Sequence, residues 1–225
     1  MKILVVNPNT TPSMTKKIRI AAKSAARPDT EIIVCNSKNG PASIEGFLDA
    51  ATCIPGLLAE IQNYLDVDAI VIACFDDTGL DAVRCLVKVP VIGIGEAAYH
   101  VASMISTKFS VITTLSRSVS GLEDNLNRYG LAKRCAKVRA TDIPVLKLEE
   151  GDVAATNKIR REIKLAISED KAEAIVLGCA GMADMMVMLS EEFGLPVIDG
   201  VACAVAMAEA LVSVGLATSK TGTYG

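Results

Sequence analysis

The 225-residue chain is 51% hydrophobic and 22% charged, the balance of a globular protein large enough for one α/β unit or two small lobes. Its net charge of −3, its lack of any basic cluster and its scarcity of aromatics, with no Trp, exclude nucleic acid and anionic membranes as partners. The N-terminal apolar run is too short for a signal peptide and no segment reaches the length of a membrane span, so a soluble, cytoplasmic protein is expected.

Short runs rich in Val and Ile recur along the chain and suit parallel strands buried on both faces. They are Ile3–Val6, Ile32–Val34, Ala69–Ala73 and Val91–Ile92, then Val111–Ile112, Val138, Ala174–Leu177 and Val197–Ile198. Helical spacing fills the intervals, first over Pro12–Ala26, where Thr11 is a candidate N-cap and Pro12 stands at the first helical position. Further helices are expected near Glu45–Tyr64, Asp77–Leu86, Asp152–Glu169, Ala180–Phe193 and Ala202–Val214. Such alternation predicts parallel sheets with helices on both faces.

An internal repeat refines this expectation. The stretch Lys2–Asn7 matches Lys108–Thr113 at an offset of 106, Asp68–Cys74 matches Glu173–Cys179 at 105, and Pro90–Gly93 matches Pro196–Asp199 at 106. Three matches in order at nearly one offset predict two pseudo-symmetric α/β lobes facing each other across a cleft. The first lobe is expected to comprise residues 1–97 and 200–225, the second residues 98–199.

The seven cysteines are odd in number and no two are three apart, which removes C-x-x-C redox and zinc-ribbon readings. With one histidine, His100, Cys/His metal sites are poor candidates too. Cys35, Cys53, Cys85, Cys135 and Cys203 read as small buried hydrophobes. Cys74 and Cys179 are different, because the repeat puts both at the carboxyl end of a strand, where open α/β sheets bind ligands. Two thiols facing each other could remove a proton from one face of a carbon and return one to the other. One must be thiolate, and a helix N-terminus directly after each cysteine is expected to favour that form.

Turns beside the thiols supply candidate ligand contacts. Asn7-Pro8-Asn9-Thr10 and Thr113-Thr114 are equivalent turns after the first strand of each lobe, and each either holds a neutral ligand or caps the next helix. Gly40–Gly46, with Ser43 and Ile44, is either a loop over the cleft or a helix start capped by Ser43. Asp76 and Thr78 follow Cys74 as Ala180 and Gly181 follow Cys179, and backbone donors there could stabilise an enolate oxygen. The segment Gly93-Ile-Gly95-Glu-Ala-Ala98 matches a dinucleotide fingerprint, but Thr113 and Thr114 end the next strand where an acidic residue is needed. His100 reads as a packed or solvated helix residue.

These motifs together resemble the hydantoin/allantoin racemase group of the aspartate/glutamate racemase superfamily. The resemblance rests on Ile3–Thr10, Pro41–Gly46, Cys74-Phe-x-Asp77-x-Gly-Leu-Asp81, Gly93–Ala98 and Leu177–Met182, and extends over essentially the whole chain. It implies a two-lobed fold and cofactor-free racemisation of a 5-substituted hydantoin or allantoin by Cys74 and Cys179. It also implies a small-molecule substrate, a homo-oligomer, and ligand contacts at Asn9, Ser43, Ile44, Thr113, Thr114, Ala180 and Gly181. The group's Gly-Asp-Pro-Gly after the first cysteine is replaced by Asp76-Asp77-Thr78-Gly79. An added carboxylate would raise the pKa of a nearby thiol and could select a ligand with donor groups, such as a ureido arm. Sibling readings are an amino-acid racemase, an arylmalonate-type decarboxylase or a maleate-type isomerase. A reading from another class is a non-catalytic ureide- or amino-acid-binding protein.

Overall fold

A computed structural model describes residues 1–149 and 153–225. Its two four-stranded parallel sheets have the same strand order. In the first, β1 (Lys2–Asn7), β2 (Glu31–Asn36), β3 (Ala69–Ile72) and β4 (Val91–Gly93) lie in the order β2-β1-β3-β4. In the second, β5 (Phe109–Thr113), β6 (Cys135–Ala140), β7 (Ala174–Leu177) and β8 (Val197–Asp199) lie in the order β6-β5-β7-β8. The register repeats as well: Ile3 pairs with Ala69 in the first sheet and Phe109 with Ala174 in the second. The expected two-lobed α/β architecture with parallel sheets is therefore present.

The helices are α1 (Pro12–Ala25), α2 (Phe47–Ile61), α3 (Leu80–Leu86), α4 (Ile94–Ile105), α5 (Val119–Arg128), α6 (Val145–Glu149), α7 (Val153–Ser168), α8 (Met186–Phe193) and α9 (Gly200–Ser213). Strand alternation sorts side chains onto two faces of each sheet. Leu4, Val6, Ile70 and Ile72 pack on α2 and α3, whereas Ile112, Ile175 and Leu177 pack on α7 and α8. The opposite faces share one interior: Ile3, Val5 and Val71 of the first sheet belong to the same buried cluster as Phe109, Val111 and Val176 of the second. Helices α1, α4 and α9 fill the space between, through Ile18, Ala98, Tyr99, Val201 and Val205. Buried Glu209 of α9 accepts from the Arg27 amide at 2.9 Å and the Thr30 hydroxyl at 2.6 Å, fixing the turn between α1 and β2.

Three starts differ from the sequence reading. Helix α2 begins at Phe47 with Gly46 as N-cap, so Ser43 caps nothing. Helix α3 begins only at Leu80, because Asp77 (φ 55°) and Gly79 (φ 79°) take left-handed conformations that hold residues 74–79 in a turn. The stretch 180–185 is a 3₁₀ helix, with α8 starting at Met186. Helices α5 and α6 were not anticipated: α5 is polar, with Leu122 and Leu126 as its only buried residues, and α6 is a single short turn. Thr11 does cap α1 by position, but its hydroxyl donates to the Ala42 carbonyl at 2.6 Å and not to a helical amide.

Candidate active site

The carboxyl ends of the central strands converge on a cavity of about 250 Å³ between the lobes. Cys74 reaches it from the turn after β3 and Cys179 from the turn after β7. Each is held by its flanking backbone. Ala73 N–H donates to the Val6 carbonyl and Gly178 N–H to the Ile112 carbonyl, both at 2.8 Å. A Cβ on Gly178 would stand 3.0 Å from that same carbonyl oxygen and 3.1 Å from Thr113, so a glycine lets the Cys179 turn lie flat on β5. Phe75, next to Cys74, is buried edge-on against Tyr99 with ring centroids 5.3 Å apart, which anchors the first turn in the shared core.

From the first lobe Asn9, Ile44, Asp76 and Thr78 also line the cavity, and from the second Thr113, Thr114 and Ala180. Ser43 and Gly181 are not among the lining residues. The sequence reading missed the wall formed by α5 and its approach, namely Arg117, Ser118, Gly121, Leu122, Asp124 and Asn125, because α5 itself was missed. It also missed Phe47 and Ala50 of α2 and Val145 of α6.

The polar groups divide into those already engaged and those still available. The Asn9 carboxamide oxygen accepts from Thr11 N–H and from the Asn7 amide, both at 2.9 Å, and its nitrogen faces the Met14 sulfur at 3.1 Å. The Thr113 hydroxyl donates to the Gly178 carbonyl at 3.3 Å. The Thr78 and Thr114 hydroxyls bond no other described residue, although both residues are buried against the cavity. Among the described residues Arg117 is the only cation on the wall, and it is engaged: its Nε donates to the Glu45 carbonyl at 3.0 Å and its Nη2 pairs with the Glu45 carboxylate. Glu45 also accepts from Val145 N–H at 2.9 Å and Ser118 Oγ at 3.2 Å. The segment before α2 therefore reaches over the cavity and clasps the second lobe.

Burial holds the Cys74 thiol well above its ordinary pKa, and the nearby Asp76 carboxylate adds to this through its charge and its hydrogen bonding. Cys53, behind it on α2, is pushed up to about 12 by burial and then by Asp76. No α-helix begins directly after Cys74, contrary to the sequence expectation; five residues separate it from α3. Cys179 stands at the N-cap of the 3₁₀ turn. None of the seven cysteines is disulfide-bonded, and no group of three or more potential metal ligands occurs among the described residues.

The neighbouring Asp77 faces away from the cavity. Its carboxylate accepts from Gly95 N–H at 2.9 Å, Glu96 N–H at 2.7 Å and Tyr129 O–H at 2.7 Å, capping α4 from outside the helix. A Cβ at Gly93 would collide with this carboxylate, and one at Gly95 with the Phe75 carbonyl. Close approach of the Cys74 turn accounts for the Gly-x-Gly spacing. His100 packs within α4, its Nδ1 2.8 Å from the Glu96 carbonyl.

The model of the Asp/Glu/hydantoin racemase family matches residues 3–208. A hydantoin racemase of Rhizobium meliloti is 52% identical, covering all of this chain and 94% of its own. One from Pseudomonas sp. (strain NS671) is 49% identical, covering all of this chain and 91% of its own. The structure of an allantoin racemase from Klebsiella pneumoniae superposes with a TM-score of 0.97 at 46% identity, over all of this chain and 92% of that one. With a match over nearly its whole length and relatives at about half identity, the chain belongs to the Asp/Glu/hydantoin racemase family.

Proposed function

We propose that the protein racemises a 5-substituted hydantoin or allantoin at the ring carbon bearing hydrogen, with Cys74 and Cys179 as the two acid/base groups and no cofactor. One observation carries this reading: thiols at equivalent strand ends of two like-folded lobes line a single cavity. In one direction the thiolate of one cysteine takes the C–H proton, and the electron pair is delocalised into the adjacent carbonyl. The thiol of the other cysteine then gives its proton to the opposite face, and the two have exchanged protonation states. We assign the hydroxyls of Thr78 and Thr114, which line the cavity with no described partner of their own, as donors to the ring carbonyls.

The wall also favours a neutral ring over an amino acid. A substrate carboxylate would call for a cation, and Arg117 is already neutralised by Glu45. We assign residues 1–97 with 200–225 to the first lobe and 98–199 to the second, since α9 packs against α1, β3 and β4. Seven thiols without a disulfide suit a reducing compartment, and we place the protein in the cytoplasm as a homo-oligomer, a state that light scattering will test.

The deciding experiment is proton exchange in heavy water. Single enantiomers of allantoin and of several hydantoins are incubated with the enzyme and the ring C–H signal is followed alongside optical rotation. Loss of both signals at a rate proportional to enzyme is expected for at least one compound. Retention of both for every compound would overturn the ureide reading.

A further inference from the structure

An aromatic side chain stands at the mouth of the cavity with most of its surface in water. Phe47 opens α2 and is 70% exposed, yet it lines the same cavity as Cys74 and Cys179. Its exposure leaves apolar surface that a bound molecule would gain by covering. We infer that Phe47 is a specificity-determining residue, whose phenyl group roofs an uncharged, apolar arm on C5 of the substrate, a branched alkyl or arylmethyl group. The inference rests on the ureide reading above and adds to it the kind of arm that the ureide carries.

The phenyl group is delivered by a segment pinned at both ends. Thr10 N–H donates to the Pro41 carbonyl at 3.0 Å, and the Thr11 hydroxyl to the Ala42 carbonyl at 2.6 Å. Glu45, two residues before Phe47, is tied to Arg117, Ser118 and Val145 of the second lobe, and its own N–H donates to Asp49 Oδ2 at 3.1 Å. From there the phenyl group reaches α5 at Gly121, another residue of the cavity wall. Outside its own helix, a Cβ at Gly121 would come within 4 Å of one described atom, Phe47 Cε1, at 3.7 Å. That is ordinary contact, so a side chain longer than a methyl group must push the phenyl group aside or enter the cavity. The first turn of α2 and a bare stretch of α5 thus close the mouth from opposite lobes.

The chemistry of this corner selects the arm. Ile44 and Ala50, three residues to either side of Phe47, and Leu122, next to Gly121, line the same cavity. None of these five residues has a polar side-chain atom. A ureido arm here would lose water and gain no partner for its donors and acceptors, whereas an alkyl or aryl arm has only water to lose. Asp76 and Asp124 are also on the wall, and they disfavour an arm that carries a carboxylate. The polar hydroxyls lie deeper, since Thr78 and Thr114 are only 8% and 4% exposed. A ureide that gives its carbonyls to those hydroxyls turns its arm outward, to the place where Phe47 stands.

The test compares arms of different size and polarity. Racemisation of 5-benzylhydantoin, 5-methylhydantoin and allantoin is measured with the wild type, Phe47→Ala, Gly121→Leu and Leu48→Ala. The wild type is expected to show a kcat/KM at least about tenfold higher for the benzyl compound than for allantoin. Phe47→Ala should lower the benzyl-to-methyl ratio of kcat/KM about tenfold, chiefly through KM for the benzyl compound. Gly121→Leu should lower the same ratio, and leucine is the better helix former at that position. The two changes lie on different lobes, so misfolding of one leaves the other to decide. Leu48, 76% exposed but not on the cavity wall, is the control, and Leu48→Ala should leave the ratio as it is. An unchanged ratio in the Phe47 and Gly121 variants, an equal fall in Leu48→Ala, or a preference of the wild type for allantoin would overturn the inference and leave the ureide reading standing. Racemisation of none of the three compounds by the wild type would overturn both.

Discussion

Asn9 and Thr114 face the same cavity with different prior commitments. The Asn9 side chain already satisfies Asn7 and Thr11, so Asn9→Ala should lower stability by about 1–2 kcal/mol, read as a fall in melting temperature. Thr114 has a hydroxyl to offer, so Thr114→Val should leave the melting temperature within a degree or two and reduce kcat/KM about tenfold, the effect of one lost hydrogen bond of about 1.4 kcal/mol. At the thiols, Cys74→Ser and Cys179→Ser should each lower racemisation at least about a thousandfold, since a serine hydroxyl is far too weak an acid to stand in for a thiol. The thiol that remains should still exchange the proton of one enantiomer with retention, and the two variants should choose opposite enantiomers; deuterium labelling of each pure enantiomer reads this directly. Both cysteines were legible in the sequence because a repeat marks position as well as residue type. The partners of Asn9 and the uncommitted hydroxyl of Thr114 were not, because hydrogen-bond commitments depend on how turns from distant parts of the chain meet.

Among the elements, α4 depends on a residue outside itself. Asp77 caps it across a gap kept narrow by Gly93 and Gly95, so the turn bearing Cys74 and the start of α4 form one unit. Burial pushes the Asp77 carboxyl up to about 7, against three hydrogen bonds that favour its ionised form. With a folded value above the unfolded value of 3.8, the native state holds an extra proton between those limits. This group's contribution to stability is therefore fully present below about pH 4 and is lost as pH rises through 7. The stability of the wild type relative to Asp77→Asn should fall over that window by about 1.4 kcal/mol per pH unit at most, as measured by urea unfolding at pH 5, 6, 7 and 8. The sequence offered Gly93-x-Gly95 as a weak nucleotide fingerprint; the structure gives it this packing role. Strands were legible because runs of Val and Ile buried on both faces carry a signal that needs no context. Helix α5 was not, since two buried leucines among polar residues give too faint a periodicity, and with it and its approach went half of the second lobe's contribution to the cavity wall.

For the whole molecule, the single interior shared by both sheets outweighs the symmetry of the lobes. Residues from β1, β3, β5 and β7 belong to one buried cluster, with α4 and α9 packed between. Each half would expose the inner face of its sheet if the other were lost, so unfolding should be one transition: calorimetric and van't Hoff enthalpies should agree, and far-ultraviolet dichroism should change at the same urea concentration as tyrosine fluorescence. Two separate transitions would mean that the lobes are independent. The shared interior also governs traffic. Lobes joined by close-packed side chains cannot swing apart about a hinge without opening that interior to water, whereas the strap of residues ahead of α2 is held by hydrogen bonds and one ion pair. That strap is fastened to the far lobe by Glu45 through Arg117, Ser118 and Val145, and the Arg117 end is exposed to solvent. One link of that clasp is an exposed ion pair that dissolved salt weakens, so the rate of ligand exchange should rise with ionic strength, as stopped-flow binding at increasing salt would show.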